Sequence, residues 1–315
     1  AKEGKHINTI KEDLEALVDK RLHWTLLTLP ILGIVIFTIL PLVFMICMAF
    51  TSYSKVGDHL TIFHWVGLKN FSTVLGMGNS IGKTFWSVLG WTLIWAVLAT
   101  FLNYILGMIL AIVINRKTTR IKGFWRFCFM LSAAIPQFVS LLLMRTMLKD
   151  NGLINNLLVQ AGLISSPLPF LTNATWARAT VVIINLWVGI PFTMMQVTGI
   201  LQNIPGELYE AARVDGATSI QQFFKITMPM LKPINYLVIT LGIIWSFQVF
   251  DLSYTMTNGG PGRSTVTLVM GIYNAAFKEY RMGYACAMAI LLLIIILIIN
   301  VVENVFFKEK EETAR

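Results

Sequence analysis

Six stretches of the chain run without a charged residue: 25–50, 85–114, 127–144, 179–200, 233–250 and 282–302. A helix needs about 20 apolar residues to cross roughly 30 Å of hydrocarbon. Lipid offers the backbone no hydrogen-bonding partner, so each stretch predicts a helix. The ten-residue segments of alternating polarity that mark a membrane barrel are missing from the sequence. The pattern therefore predicts an all-α integral membrane protein with six transmembrane helices. The first stretch is longer than a signal-peptide core and no A-x-A site follows it, so it is expected to stay in the protein. Ahead of it, Thr9 and Glu12 match a capping box, a pairing that satisfies two orphan amides at a helix start. Ile10, Leu14, Leu17 and Val18 then recur at helical spacing. Segment 1–24 is expected to form a short amphipathic helix, either lying on the membrane surface or packed or solvated as an ordinary N-terminal helix.

Composition agrees with this reading. Of the 315 residues, 56% are hydrophobic and only 13% are charged, against about 25% charged in soluble domains. The mean hydropathy is +0.70. The net charge of +9 would suit a nucleic-acid binder only if Lys and Arg gathered on one face. Here they fill the gaps between apolar runs, so no nucleic-acid partner is expected and the charge reads as an orientation signal. Cytoplasmic loops carry the excess of Lys and Arg. Lys and Arg are about twice as frequent in the N-terminal segment, the second and fourth loops and the tail as in the opposite loops. That bias predicts both termini and the 201–232 loop on the cytoplasmic side. The expected organisation is a cytoplasmic segment 1–24, a transmembrane domain 25–307 and a cytoplasmic tail 308–315. Trp24, Trp86, Trp125 and Trp176 fall near span ends, where an interfacial belt belongs.

Little in the sequence points to catalysis. Cys47, Cys128 and Cys286 each stand alone in an apolar run, with no metal spacing and no paired set, and read as small buried hydrophobes. The N-x-[ST] matches at Asn70 and Asn173 are too short to carry weight. His6, His23, His59 and His64 all precede the second span, and the His59–His64 spacing reads as a solvated loop. No span holds paired carboxylates, as a membrane-embedded enzyme would need. An ion-coupled secondary transporter would need ionisable residues within its spans, and only Asp251, at a span end, comes close. Gly78 to Thr84 imitates a phosphate loop, but its glycines are spaced wrongly and no strand precedes it. No cofactor and no metal are expected on this chain.

The loop after the fourth span is the most informative segment. Pro205 suits a helix start, and Glu207 and Glu210 suit its dipole. Leu208, Ala211 and Ala212 share a face. Asp215-Gly216 reads as a stop, with Gly216 free to take positive φ. A second amphipathic piece, 220–226, is expected to be broken by Pro229 and Pro233. The pattern predicts a short helix, a tight turn and another short helix, a rigid knob suited to docking on a soluble partner. Here the sequence resembles the permeases of ABC importers. These carry an EAA loop of the form E-A-A, three residues, G, nine residues, I-x-L-P. This chain has Glu210-Ala211-Ala212, then Gly216, then Ile226-Thr227-Met228-Pro229, with Met in place of the usual Leu. That exchange nearly conserves volume. The resemblance implies a fold of the type I importer permease kind in a bacterial cytoplasmic (inner) membrane. It implies a second, related permease, two ATPase subunits docking at Glu207, Glu210, Ala211, Ala212, Asp215 and Gly216, and ATP and Mg used by those ATPases rather than by this chain. Glu210 offers a charge to a basic partner or, more modestly, an i,i+3 pair with Arg213.

A second resemblance concerns cargo. Phe250-Asp251, then Thr257-Asn258-Gly259-Gly260-Pro261, Thr265, Leu268, Tyr273 and Ala276-Phe277 resemble the sugar-permease branch of that family. It implies an external sugar-binding protein as a further partner and a sugar or oligosaccharide as cargo. A non-sugar cargo such as a polyol or glycerol phosphate is the alternative. By itself the Gly-Gly-Pro-Gly run reads as an external turn, with or without ligand contact. A sugar site needs hydrogen-bonding groups and aromatic faces in an apolar cavity. At about 1.5 Å per residue, Asn185 and Gln248 fall in the outer half of their spans, close to the level of Trp187 and Trp245. Asn185, Trp187, Trp245, Gln248 and Asp251 are therefore the candidates for the substrate path. Each also suits plain packing or hydrogen bonding between helices.

Overall fold

The computed structural model describes residues 22, 24, 26–53, 64–116 and 118–312. The expected N-terminal helix with its Thr9 and Glu12 box lies outside them, as do His6, His23, His59 and residues 313–315 of the tail. Among the described residues the regular elements are all helical, apart from one isolated antiparallel bridge between Thr51 and Trp65. They are α1 (Leu26–Ala49), α2 (Lys69–Leu75), α3 (Ser80–Asn115), α4 (Lys122–Ala134), α5 (Gln137–Met147), α6 (Leu153–Gln160), α7 (Ala174–Leu201), α8 (Gly206–Val214), α9 (Ser219–Lys232), α10 (Asn235–Gln248), α11 (Asp251–Thr257), α12 (Leu268–Tyr273) and α13 (Met282–Glu312).

Four helices, α1, α3, α7 and α13, are long and apolar enough to cross a membrane, and the number rises to six if each of two bent pairs counts as one span. The bend within the third stretch adds to the reading of six spans, while the bend in the fifth falls at Pro233, one of the two prolines expected to break that segment. In the third stretch α4 and α5 meet at 89°. The cause is Pro136, which lacks an N–H and pushes its predecessor out of the helical region. Ile135 accordingly takes φ −81°, ψ 132°. In the fifth stretch α9 and α10 bend by 64° where Pro233 lies. Pro229, expected as a break, is absorbed instead. It follows a π turn at Phe223–Thr227, where the Met228 amide reaches back to the Phe223 carbonyl. The extra residue in that turn gives slack to the ladder where proline cannot donate.

The bundle is organised around α3. Its C-terminal residue Asn115 donates to Ala111 O at 2.7 Å and to Thr198 Oγ1 on α7 at 3.0 Å. Arg126 of α4 donates to Asn115 Oδ1 at 2.6 Å. The C-terminal ends of α3 and α7 thus lie together, so the two helices run parallel. Between them the backbones approach closely. A Cβ on Gly107 would sit 2.6 Å from Thr193 Cβ, and one on Gly189 would sit 2.6 Å from Asn103 Oδ1. Small residues at such crossings replace the hydrophobic drive that lipid removes. From the other direction α10 packs on α3, with Thr100 Oγ1 3.2 Å from Ser246 Oγ.

The Gly-Gly-Pro-Gly run keeps an exposed tip at Gly262, with Gly260 and Pro261 half-buried, while its flanks go inward. Gly259 and every residue from Ser264 to Leu268 are buried, and the hairpin from α11 to α12 is driven into the bundle. Most of its polar groups bond one another and their surroundings, the buried Ser264 hydroxyl being an exception. Ser253 Oγ donates to Thr265 O. Thr257 and Thr265 share a hydroxyl contact of 2.6 Å, and Thr267 Oγ1 donates to Val249 O at 2.8 Å. Thr92 Oγ1 of α3 accepts from Leu268 N at 2.9 Å and donates to Val88 O at 2.8 Å. Thr92→Val would keep the shape and leave the buried Leu268 amide unpaired, at a cost of about 1–3 kcal/mol. We expect a lowered thermal midpoint for Thr92→Val in detergent and near wild-type behaviour for Thr92→Ser.

Outside this core the chain is apolar and open. Leu29 and Phe37 of α1 are 79% and 80% exposed. Cys47 and Cys128 are exposed too, against the expectation of burial, because a lipid-facing surface is as apolar as a core. Both asparagines of the N-x-[ST] matches have structural work. Asn70 is buried and donates to Ala49 O and Thr51 O at 2.8 and 2.7 Å, and Asn173 caps α7 by accepting from Thr175 N and Trp176 N. Asn79, within the phosphate-loop imitation, caps α3 by accepting from Gly82 N at 2.8 Å.

Candidate functional site

The loop singled out by sequence folds into two helices at the end of the bundle where Asn115 and Thr198 meet. Pro205 takes the cap position of α8, one residue ahead of its start, with φ −58°. Glu207 lies in the first turn and Arg213 in the last, the order that the helix dipole favours. Arg213 Nε donates back to Tyr209 O at 3.2 Å. At the C-terminus Gly216 has φ +77°. Its amide donates to Arg213 O at 3.1 Å, and the Ala217 amide donates to Ala212 O at 2.8 Å. These two bonds make a Schellman turn, which needs a left-handed residue at the position of Gly216. Two residues on, Thr218 and Gln221 form a capping box that starts α9, with bonds of 2.8 and 3.3 Å. Helix stop and helix start are therefore both satisfied within a few residues, and the angle between α8 and α9 is set by backbone chemistry.

The knob is anchored on one side and open on the other. Tyr209 OH lies 2.9 Å from Thr227 Oγ1, tying α8 to the buried end of α9. Leu201, Phe223 and Met228 pack on a core of Tyr104, Met108, Ala111, Ile114, Met194, Val197, Leu231 and Val238. That core is contributed by α3, α7, α9 and α10, so a force on α8 reaches the helices that form the bundle's centre. Met228, the departure from the usual Leu, sits in this packing. The opposite face carries Glu207, Glu210, Ala211, Asp215 and Gly216, all exposed, while Ala212 is half-buried. Apolar side chains stand on it as well: Val214 is 88%, Ile220 71% and Phe224 64% exposed. An acidic and apolar surface on a rigid support suits a soluble partner's cleft.

The substrate-path candidates fall at the other level of the bundle. Trp245 and Gln248 lie one turn apart on α10, so they share a face. Trp245 is 69% exposed, Trp187 is 38% exposed, and Gln248 is exposed at the last residue of its helix. Asn185 is half-buried on α7, two residues from Trp187 and so on a different face. Asp251 is exposed in the first turn of α11. Trp187, Trp245, Gln248 and Asp251 are thus open to the surroundings of this chain, whereas Asn185 is turned partly inward. Phe192, which sequence reasoning did not single out, joins α7 to α10, with its ring edge-on to Trp245 at 6.4 Å. Tyr209 and Thr227 were missed as well. An aromatic next to Pro191 and a tyrosine inside the EAA loop are weak signals in a sequence, because their partners lie on other elements.

Residues 103–310 match the family model of the binding-protein-dependent transport system inner membrane component. The chain is 32% identical over 300 residues to a galactooligosaccharides transport system permease protein of Bacillus subtilis, covering 92% of this chain and 71% of that protein. It is 33% identical over 317 residues to a maltodextrin transport system permease protein of the same organism, covering 95% and 71%. Its fold is similar to that of a chain from a bacterial ABC transporter involved in the import of the acidic polysaccharide alginate. The TM-score is 0.79 at 23% sequence identity, over 94% of this chain and 98% of that one.

Proposed function

The chain belongs to the binding-protein-dependent transport system inner membrane components, and from that premise we propose that it forms half of the translocation pathway of a bacterial ATP-driven importer for a sugar or oligosaccharide. The permeases it resembles are named for galactooligosaccharides and maltodextrin, and that supports a glycan cargo. A second permease completes the path, an external binding protein delivers the cargo, and two separate ATPase subunits consume ATP and Mg. The chain itself performs no catalysis.

The observation that carries this reading is the knob formed by α8 and α9. It presents Glu207, Glu210, Ala211 and Asp215 outward, turns on Gly216, and is clamped to the central helices through Tyr209 and Thr227. Closure of an ATPase dimer on α8 would push α9 and, through Leu231 and Val238, the helices that bound the path. The excess of Lys and Arg in the N-terminal segment, the α3–α4 and α7–α10 connections and the tail supports a cytoplasmic location for both termini and for the knob. The exposed Trp187 and Trp245, with Asn185, Gln248 and Asp251, face the cargo once the partner permease closes over them. Stacking on indole faces and hydrogen bonds from amides are the contacts that sugar hydroxyls and ring faces use.

The test is a pull-down of the detergent-solubilised complex, comparing wild type with Glu210→Lys and scoring bound ATPase and sugar-stimulated hydrolysis. Wild type is expected to bring down an ATPase and a second permease, with hydrolysis stimulated by oligosaccharide in the presence of its binding protein. Glu210→Lys is expected to lose the ATPase or to hydrolyse ATP without transport. A wild-type chain that purifies alone and transports without ATP would overturn the proposal. Stimulation by a polyol or glycerol phosphate alone would move the cargo outside the sugars.

A further inference from the structure

At the end of the bundle opposite the knob, the first turns of α3 and α13 enclose a cavity of about 320 Å³. Its lining changes character with depth. Ser80, Thr84, Arg263, Glu279 and Arg281 stand around the mouth, and Phe85, Val88, Leu268 and Met288 form the floor. Both helices begin at this end of the bundle. Counting from Ser80 to Val88 gives a depth of about 12 Å, and counting from Arg281 to Met288 gives about 10 Å. The charged groups therefore gather near the helix starts, where Ile81 also lies, and the deeper lining is mainly apolar, with Tyr284 between the two levels. The cavity points along the direction in which the two helices run into the membrane.

The mouth is cationic on balance, with two guanidinium groups against one carboxylate. Arg263 is exposed and donates to Thr84 Oγ1 at 3.3 Å, which holds its guanidinium beside the opening. Arg281 is half-buried and lies 4.0 Å from Glu279, a long ion pair that leaves it able to engage another anion. Guanidinium groups match phosphate oxygens in a two-pronged geometry that a lysine lacks. Tyr284, one turn below Arg281, is the one hydroxyl-bearing side chain of the wall beneath the mouth, and the floor residues Phe85, Val88, Leu268 and Met288 offer an acyl chain an apolar slot. We propose that this cavity binds an anionic phospholipid, with the phosphodiester held by Arg263 and Arg281, hydroxyls from Ser80 and Thr84 at its side, and the upper acyl chain lying against Val88 and Met288.

The bound lipid joins three elements that are far apart in sequence: the start of α3, the buried hairpin and the start of α13. It acts as a wedge that fixes the outer ends of these helices. The site is separate from the coupling knob and from the Trp187 and Trp245 surface, so it serves whatever the cargo is.

The test uses the full chain in its purified complex in neutral detergent, titrated with phosphatidylglycerol and followed by native mass spectrometry and thermal unfolding. Phosphatidylcholine and inorganic phosphate serve as separate probes. Phosphatidylglycerol is expected to bind and raise the midpoint, phosphatidylcholine to do so at least tenfold more weakly, and millimolar phosphate to leave both unchanged. Arg263→Gln combined with Arg281→Gln should weaken phosphatidylglycerol binding roughly tenfold or more, the effect of losing charge-assisted bonds. Lys83→Gln, an exposed cation on the same turn that does not line the cavity, should leave binding as it was. Should the double variant fail to fold, the single Arg281→Gln is read in its place. Equal binding of the two lipids, or an equal loss with Lys83→Gln, would overturn the proposal. Protection by inorganic phosphate alone would overturn it in favour of a free-anion site.

Discussion

Gly216→Val is expected to uncouple transport from ATP hydrolysis. Sugar-stimulated ATPase activity of the reconstituted importer should fall at least tenfold while the protein still inserts. The side chain itself meets no obstacle, since nothing lies within 4 Å of a Cβ built at Gly216. The backbone is the obstacle. A β-branched residue at φ +77° is strained by about 1–3 kcal/mol. The turn relieves that strain by giving up the bonds from Gly216 N and Ala217 N to Arg213 O and Ala212 O. Without them the Tyr209–Thr227 contact still ties α8 to α9 but no longer fixes its angle, and a loosened lever transmits little of the stroke. The measurement is ATP hydrolysis with and without sugar and binding protein in proteoliposomes. Gly216→Asn makes the comparison sharp, because asparagine tolerates the left-handed region and should recover much of the coupling. Full coupling in the valine variant would show that the angle of this turn is not what transmits the motion.

Gly107→Leu is expected to remove the protein from the membrane fraction or to lower its thermal midpoint severely. The nearest neighbours of a Cβ at Gly107 are Thr193 Cβ at 2.6 Å, Thr193 Cγ2 at 2.8 Å and the Ile190 carbonyl at 3.2 Å. A leucine would have to part α3 from α7 at the crossing that also holds Asn103 against Gly189. Overpacking of this kind costs about 1–3 kcal/mol where neighbours can relax. The cost is higher where one neighbour is backbone. Expression yield and thermal unfolding in detergent report the loss. Gly107→Ala should show a smaller effect of the same sign, and an unchanged midpoint for the leucine variant would mean that the two helices are not in contact at this crossing.

The sequence made some elements readable because their signals are local. The six uncharged stretches correspond to helices because a run without charge has one low-cost solution in lipid. The fixed spacing from Glu210 to Pro229 carried the knob, because Gly216 and the caps around it act within a few bonds. The bend at Pro136 was hidden by the same uncharged run that revealed the helix, since hydrophobicity does not report direction. Pro229 misled in the opposite sense. A π turn beside it makes proline compatible with a continuing helix, and nothing in composition announces that turn. The Gly-Gly-Pro-Gly run between Thr257 and Thr265 read only as an external turn, because Gly and Pro report a turn and not how deeply its flanks are set. Those flanks go inward because the hydroxyls of Thr257, Thr265 and Thr267 satisfy one another and the backbone, a self-sufficiency that shows only in three dimensions. Phe192 and Tyr209 act across elements, so their partners lie too far along the chain for any spacing rule to find.

The bond from Leu268 to Thr92 joins residues 176 positions apart, and this separation bears on biogenesis. A ribosome delivers α3 to the membrane long before the hairpin is made. Until then Thr92 can bond only to its own helix, and the surface that will receive the hairpin faces lipid. The hairpin, being polar, gains nothing by entering the bilayer on its own. It can enter only through a seat already built by α3 and α7. The hairpin therefore docks late, onto helices already in place, and a chain stalled before Leu268 leaves that flank of α3 uncovered. Assembly of this region is expected to run from α3 and α7 to the hairpin, whose threonines fix it in its seat before α13 packs against it.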